Sequence, residues 1–199
     1  WYFACWNEPD LLAFWEDTFE DYGEMYIQTY QAVKASCPNF QIGGPDLFSE
    51  TVNQESWLDH YLDFCMTNHC IPDFISFHSY PVQTVQNPKD KSISLVHSSN
   101  DNYLGQTIHL LKDKLRAKLP QLPDVHVTEW NSTPFHRDLT NDTCYKAAYI
   151  VKNVLENIDE VQSLAYWSLT DLLEELPPAE ETFHGGLGLI TSSGIQKPG

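Results

Sequence analysis

The chain is poor in basic residues. Lysine and arginine number 11 against 28 aspartates and glutamates, which gives a formal net charge of −17 at pH 7. Binding to nucleic acid or to an anionic membrane surface needs clustered positive charges that neutralise phosphates. The charge balance therefore argues against nucleic acid or a membrane as a partner of this segment, and it favours a neutral ligand.

Long apolar runs are also missing. No stretch approaches the roughly 20 residues of a membrane span, and no basic segment followed by an apolar one opens the chain as a signal peptide would. Hydrophobic residues still make up 42% of the chain and aromatic residues 13%, which is typical of a folded domain. Because residue 1 falls inside a predicted buried strand, we expect the chain to be a segment of a longer protein.

The cysteines have neither the spacing of a disulfide framework nor that of a zinc site. His69 lies between two of them, but this spacing fits no standard zinc motif and no second pair of ligands follows. An odd number of unpatterned cysteines favours reduced thiols. We therefore expect no metal ion, no cofactor, and a cytoplasmic, bacterial setting. The cysteines are Cys5, Cys37, Cys65, Cys70 and Cys144.

Strand-like and helix-like patterns alternate along the chain. Strand-like runs occupy 1–8, 40–46, 73–81, 125–130 and 163–169. Between them, apolar residues recur at helical spacing in 11–36, 57–64, 108–115 and 141–157. This alternation predicts five βα units around a parallel sheet. No glycine-rich phosphate-binding sequence follows the first strand, which argues against a nucleotide-binding, doubly wound fold.

The pattern also makes predictions about the parts between the strands. Residues 81–102 are polar and aperiodic, as lids and binding loops often are, and the chain from Asp171 onwards is predicted to be loop. Asp46 is expected to cap the helix that follows it and is left out of the site. The last predicted helix should turn these apolar residues inward: Ala147, Ala148, Val151, Val154 and Leu155.

Side chains that could take part in catalysis lie at the carboxyl ends of the predicted strands. Glu8 ends the first strand, and Glu129 ends the strand at 125–130. In a parallel barrel these ends meet at one face, where active-site groups collect. The two acids are therefore expected to share one cleft.

The motifs that contain these residues resemble glycoside hydrolase family 39, the family of β-xylosidases and α-L-iduronidases. They occur in the family's order along almost the whole chain, which is much more specific than Asn-Glu-Pro alone. The motifs are Trp6-Asn7-Glu8-Pro9, Gly43-Gly44-Pro45, Phe77-His78-Ser79-Tyr80, Thr128-Glu129-Trp130-Asn131, Tyr166-Trp167, Asp171-x-x-Glu174-Glu175 and Phe183-His184-Gly185-Gly186-Leu187-Gly188-Leu189.

The resemblance implies an α/β fold in which residues 1–199 form the C-terminal part, strands four to eight, of a (β/α)8 TIM barrel. It implies a carbohydrate substrate and a retaining, β-xylosidase-like hydrolase of the kind that degrades xylan. Strands one to three would be missing from this segment. We therefore expect the isolated segment to be weak or inactive, and to self-associate through the exposed edges of its sheet.

The same resemblance assigns roles to individual residues. Glu8 would be the general acid/base and Glu129 the nucleophile. Asn7 would hold the sugar 2-hydroxyl, while His78 and Tyr80 would line the −1 subsite.

Further assignments concern the contacts of these groups. Tyr80 would donate a hydrogen bond that orients Glu129. Trp167 would form a stacking floor for the sugar, and Glu174 or Glu175 would bind sugar hydroxyls. From the residues alone, core packing is the less favoured alternative for His78 and Trp167.

An alternative function is sugar sensing without catalysis. Some domains of this family are joined to AraC-type transcriptional regulators, and residues 136–139 and 141–144 look similar to that branch. The presence of both carboxylates favours catalysis. Asn131 also begins an N-glycosylation sequon, but a glycan there would obstruct the predicted cleft.

Overall fold

Five parallel strands form the main sheet of the computed structural model, which describes residues 1–53, 56–171 and 181–198. Its strand order is β1-β2-β3-β6-β7, and every neighbouring pair is parallel. The five strands are β1 (Tyr2–Ala4), β2 (Gln41–Phe48), β3 (Phe74–Ser79), β6 (Asp124–Trp130) and β7 (Ser163–Tyr166).

Helices connect these strands and pack on the outer side of the sheet. In the described ranges they are α1 (Phe19–Ser36), α2 (Ser49–Asn53), α3 (Ser56–Thr67), α4 (Tyr103–Lys118) and α5 (Cys144–Asn157), with a 3₁₀ turn at Leu139–Asp142. None of these helices is long and apolar enough to cross a bilayer. The alternation of parallel strands and helices is the arrangement expected for one part of a (β/α)8 barrel.

The first helix starts later than its apolar pattern predicted. Residues 11–15 form turns, and α1 begins after Thr18, whose side chain accepts a hydrogen bond from the Asp21 backbone in a capping box. Such caps stabilise a helix by about 1 kcal/mol. Tyr22 and Tyr26 of α1 are fully buried against Tyr61 of α3, so aromatic packing between these two helices anchors the core.

Close contact between neighbouring strands explains the glycines at the start of β2. A Cβ atom on Gly43 would lie 2.1 Å from the carbonyl oxygen of Phe74 on β3. Only glycine fits this position without moving the backbone of β3. The pairing continues from β2 through β3 to β6, which brings the carboxyl ends of the strands to one edge.

The edges of the sheet are β1 and β7, as the sequence predicted. The first strand is not buried, however. Trp1, Tyr2 and Phe3 are 85%, 52% and 39% exposed. The prediction of a buried first strand was wrong because β1 pairs only with β2 in the described structure.

The segment predicted to be irregular contains an antiparallel hairpin, formed by β4 (Val82–Gln86) and β5 (Ile93–His97). The Ser98 backbone N–H donates to the Pro81 carbonyl at the base of the hairpin, 2.7 Å away. His97 Nε2 lies 2.9 Å from the carbonyl oxygen of Ser132, in the loop after β6. The prediction failed because most of the hairpin is solvated, so its apolar residues do not alternate strictly.

The inward face of α5 was predicted only in part. Val154 packs against the core, but Val151 and Leu155 are 58% and 73% exposed, and Ala148 is exposed as well. On the buried side, polar side chains donate to backbone carbonyls, so an apolar pattern does not mark all of this face. The buried residues of this helix are Lys146, Tyr149, Asn153 and Asn157.

Candidate active site

Glu8 is held by the turn that leaves β1. Its backbone has a positive φ of 44°, and Trp6 has one of 72°. Left-handed backbone is uncommon for residues other than glycine and often accompanies functional sites. The Leu11 N–H donates to the Glu8 carbonyl, and only 6% of Glu8 is exposed. The turn therefore fixes a largely desolvated carboxyl group at the strand end.

His78 lies between the two predicted catalytic acids. Its Nδ1 is 2.7 Å from Oε1 of Glu8 and 3.7 Å from Oε2 of Glu129. Burial by itself would lower the pKa of His78. The hydrogen bond to Glu8 and the charges of the surrounding carboxylates outweigh burial and raise that pKa. A positively charged imidazole is therefore favoured between the two acids.

Tyr80 connects the end of β3 to Glu129. Its hydroxyl donates a short hydrogen bond to Oε1 of Glu129, which is the contact expected from the sequence. The Tyr80 ring stacks on Phe48 at a centroid distance of 6.3 Å. Since Glu129 also faces His78 through its other oxygen, both oxygens of this carboxylate have defined neighbours.

These groups open into a cleft of about 470 Å³. Asn7, Glu8, Tyr80, Glu129 and Trp167 line it, as the sequence predicted, whereas His78 is 2% exposed and does not line it. Glu174 and Glu175 lie outside the described residues. The lining residues that the sequence did not single out are Phe14, Phe48, Pro134, His136 and Leu187.

Comparisons with known proteins agree with this geometry. The family model described as Glycosyl hydrolases family 39 matches residues 1–199. The chain belongs to glycosyl hydrolase family 39. It is 34% identical over 200 residues to a β-xylosidase of Caldicellulosiruptor saccharolyticus and 32% identical over 204 residues to one of Geobacillus stearothermophilus.

Both of these alignments cover all of the family 39 chain but only 39% of each relative. Among solved structures, a GH39 enzyme from Xanthomonas axonopodis pv. citri superposes with a TM-score of 0.82 at 31% identity. That match covers 99% of this chain and 38% of the Xanthomonas chain. The five-stranded sheet is thus part of a TIM barrel, and the chain spans about two-fifths of the length of its relatives.

Asp46 belongs to the surroundings of the site, contrary to the expectation that it caps a helix. It lies within β2 at a φ of 58°, is 8% exposed, and accepts a hydrogen bond from the Thr128 hydroxyl. Its charge also contributes to the raised pKa of His78. The prediction failed because the strand continues past Asp46 to Phe48, so the helix starts three residues later.

Asp10 is a second acid that sequence reasoning missed. Burial raises its pKa to about 6, and the nearby charge of Glu8 adds to the increase. Oδ2 of Asp10 accepts a hydrogen bond from the Phe48 backbone N–H at 3.1 Å. Its position two residues after Glu8 was the only signal in the sequence.

A buried ion pair holds the segment that carries Leu187. Lys197 Nζ lies 2.9 Å from Oδ1 of Asp171 and 2.8 Å from Oδ1 of Asp142, and it donates to the Gly186 carbonyl. A Cβ on Gly186 would lie 2.4 Å from the Asp171 carboxylate. Gly186, the second glycine of the pair in the family motif, therefore allows this segment to pack directly on the ion pair.

The described residues offer neither a metal site nor a disulfide bond. No group of three or more histidine, cysteine or acidic side chains among residues 1–53, 56–171 and 181–198 is arranged to hold a metal ion. All five cysteines are free thiols. The glycosylation sequon at Asn131 is inaccessible in the fold, because that side chain is fully buried.

Proposed function

We propose that the protein carrying this chain is a retaining glycoside hydrolase that acts on β-xylosides. The observation that supports this most directly is the placement of Nδ1 of His78 within 2.7 Å of Glu8 and 3.7 Å of Glu129. One buried imidazole thus faces two carboxylates at the wall of a cleft. Two neighbouring acids at one cleft are the groups that glycoside hydrolysis requires.

The retaining mechanism is proposed from the family resemblance. One oxygen of Glu8 and one of Glu129 lie 2.7 Å and 3.7 Å from the same nitrogen of His78, so the two acids are neighbours. Retaining enzymes place their two carboxyl groups about 5 to 5.5 Å apart, so that one of them can attack the anomeric carbon directly.

In the proposed reaction, the Glu129 carboxylate attacks the anomeric carbon while Glu8 donates its proton to the departing oxygen. The glycosidic bond breaks and an ester bond forms between the sugar and Glu129. Glu8 then removes a proton from a water molecule, whose oxygen displaces Glu129 and releases the sugar. The Tyr80 hydroxyl orients the attacking carboxylate and stabilises its charge.

His78 has a supporting part in this scheme. Its hydrogen bond fixes the position of Glu8, and the pair shares one proton between imidazole and carboxyl group, which Glu8 delivers to the departing oxygen. Asn7, at the mouth of the cleft beside Glu8, is proposed to bind the 2-hydroxyl. Trp167 is proposed to stack on the sugar face, since aromatic rings offer large apolar surfaces at low entropic cost.

The choice of xylosides rests on two curated relatives, both β-xylosidases, at 34% and 32% identity. The cleft volume of about 470 Å³ lies within the range of small-molecule sites. The negative net charge fits a neutral sugar better than an anionic one.

Covalent trapping tests the proposal. The whole polypeptide is incubated with 2,4-dinitrophenyl 2-deoxy-2-fluoro-β-D-xyloside, which slows the second step more than the first. We expect mass spectrometry to find one added fluoroxylosyl group on the peptide that contains Glu129. A label on another residue, or turnover by Glu129→Gln at the wild-type rate, would contradict the assignment.

Two variants complete this experiment. Glu8→Gln should lower turnover of substrates with poor leaving groups by roughly 10²- to 10⁴-fold, the usual contribution of general acid catalysis. It should still become labelled, because dinitrophenolate leaves without protonation. The control is Glu156→Gln, an exposed acid paired with Lys152 on α5. Sugar binding without labelling or turnover in the wild type would instead indicate a sensing domain.

A further inference from the structure

Asn131 joins two walls of the cleft through one buried side chain. Its Nδ2 donates to the carbonyl oxygen of Trp167 at 2.5 Å and to that of Leu187 at 3.2 Å. Its Oδ1 accepts the backbone N–H of Ser132 at 2.6 Å. The residue is completely inaccessible to solvent, and both amide hydrogens are used.

The two acceptors belong to separate segments of the chain. Trp167 directly follows β7, and Leu187 lies in the segment held by the buried ion pair of Lys197. Both residues line the cleft. Asn131 itself lies two residues after Glu129. Its amide therefore connects Trp167 and Leu187, one on each wall, to the end of β6, the strand that carries the proposed nucleophile.

Two further bonds each hold one of these residues. The Trp167 N–H donates to the Trp130 carbonyl, and Lys146 Nζ donates to the Leu187 carbonyl at 2.9 Å. The two segments are also joined on either side of these residues, where the Leu189 and Ile190 N–H groups donate to the Leu169 carbonyl and the Tyr166 hydroxyl donates to the Leu187 carbonyl at 3.5 Å. The Asn131 amide differs from these bonds in that it contacts both Trp167 and Leu187 directly.

We propose that Asn131 is a positioning residue that sets the spacing between the Trp167 and Leu187 walls, and thereby how tightly the cleft grips its sugar. This inference rests on the proposed function for its effect on sugar binding. The spacing itself can be measured without any activity. A general stabilising role would instead affect the whole fold equally.

The matched control is Asn153 on α5. It is 1% exposed, and its amide donates to one carbonyl, that of Tyr149, at 2.9 Å. Asn153→Ala therefore removes a buried asparagine away from the cleft. Asn131→Ala and Asn131→Asp are the test variants, and the aspartate keeps the shape while placing an oxygen against the two carbonyls.

The experiment measures hydrogen exchange and kinetics in the whole polypeptide. In both Asn131 variants we expect amide exchange to accelerate by about tenfold or more in peptides covering 166–170 and 185–190, because a hydrogen bond between the walls is lost. Asn153→Ala should change exchange only around α5. With 4-nitrophenyl β-D-xyloside, KM should rise about tenfold, with a smaller change in kcat.

Hydrogen exchange tests the positioning role of Asn131, and KM tests its effect on sugar binding. Equal acceleration in all peptides, or unchanged exchange at the two walls, would overturn the positioning role. Accelerated exchange at both walls with an unaltered KM would refute the effect on sugar binding. If the wild type neither binds nor hydrolyses xylosides, the proposed function is wrong. The exchange data then still show whether Asn131 fixes the spacing between the two walls. If Asn131→Ala does not fold, Asn131→Asp supplies the same measurement.

Discussion

His78 is hydrogen-bonded to Glu8 at 2.7 Å, with only 3% and 9% of the two side chains exposed. Such a pair can hold one proton between imidazole and carboxyl group. Nearby charges from Glu129 and Asp46 also act on His78. The three carboxylates therefore act together on the protonation of His78, and removing one of them lowers the pKa of that imidazole.

A pH-dependent stability follows from the raised pKa of His78. A histidine whose pKa is higher in the folded state stabilises the fold below its unfolded pKa, near 6.5. That contribution is lost as pH rises through the folded pKa. His78→Gln should therefore lose most stability relative to wild type at about pH 5.5 to 6.5, and less at higher pH, with about 1.4 kcal/mol for each unit of pKa difference.

Urea denaturation at several pH values measures this difference. His109→Gln, at an exposed position on α4, is the control and should show no comparable trend. A stability difference between His78→Gln and wild type that grows between pH 7 and 9 would contradict the expected loss of stabilisation by His78 as pH rises.

Loss of the Tyr80 hydroxyl should affect the chemical step. Tyr80→Phe keeps the ring that stacks on Phe48 but removes the hydrogen bond to Glu129. Hydrogen bonds to charged groups contribute about 1.5 to 3 kcal/mol, so kcat should fall by roughly 10- to 150-fold. Steady-state kinetics would measure this. Tyr103→Phe removes a hydroxyl bonded to Ser49 and should leave kcat near the wild-type value.

Replacing Asp10 should stabilise the protein at neutral pH. Its pKa is raised to about 6 by burial, so this group favours the folded state at low pH, and its contribution is lost as pH rises from 3.8 through 6. Asp10→Asn keeps an oxygen for the Phe48 N–H and removes the buried charge. We expect a gain of at most about 3 kcal/mol at pH 8.

Chemical denaturation at pH 4 and pH 8 checks this expectation, since the gain should nearly vanish at the lower pH. Asp113→Asn alters a carboxyl group that is 74% exposed and serves as the control. Equal stability of Asp10→Asn and wild type at both pH values would show that the buried charge costs nothing.

The exposed first strand leads to a prediction about association. We expect the 199-residue chain prepared alone to form larger species as its concentration rises, because β1 offers an unpaired edge with exposed aromatic residues. Phe3→Lys should weaken this association, and Leu12→Lys, at a residue 76% exposed outside the strand, should not. Sedimentation of a compact monomer at high concentration would count against it.

The order of the strands along the chain and the two carboxylates could be predicted because they depend on local sequence. Each parallel strand ends in a short polar motif, and family motifs assigned Glu8 and Glu129 to one face. Their common neighbour His78 was also anticipated. These features follow from the order of motifs along the chain, and tertiary packing does not reverse them.

Other features depended on tertiary contacts that sequence patterns do not record. Lys146 is buried because Leu187 offers a carbonyl to it, so an apolar pattern could not identify the inner face of α5. Asp10 and Asp46 owe their burial to partners distant in sequence. The hairpin was missed for a similar reason, since its position depends on contacts such as His97 with Ser132.

That hairpin offers a place where the protein can change without disturbing its chemistry. Its contacts with the body include those of His97 with Ser132 and of Thr84 with Glu50, and Ser98 closes its base on Pro81. The turn at 87–92 is closed by its own backbone bonds. Since each doubling of a loop's length costs only about 0.6 kcal/mol, insertions at this turn should be tolerated while Tyr80 stays in place.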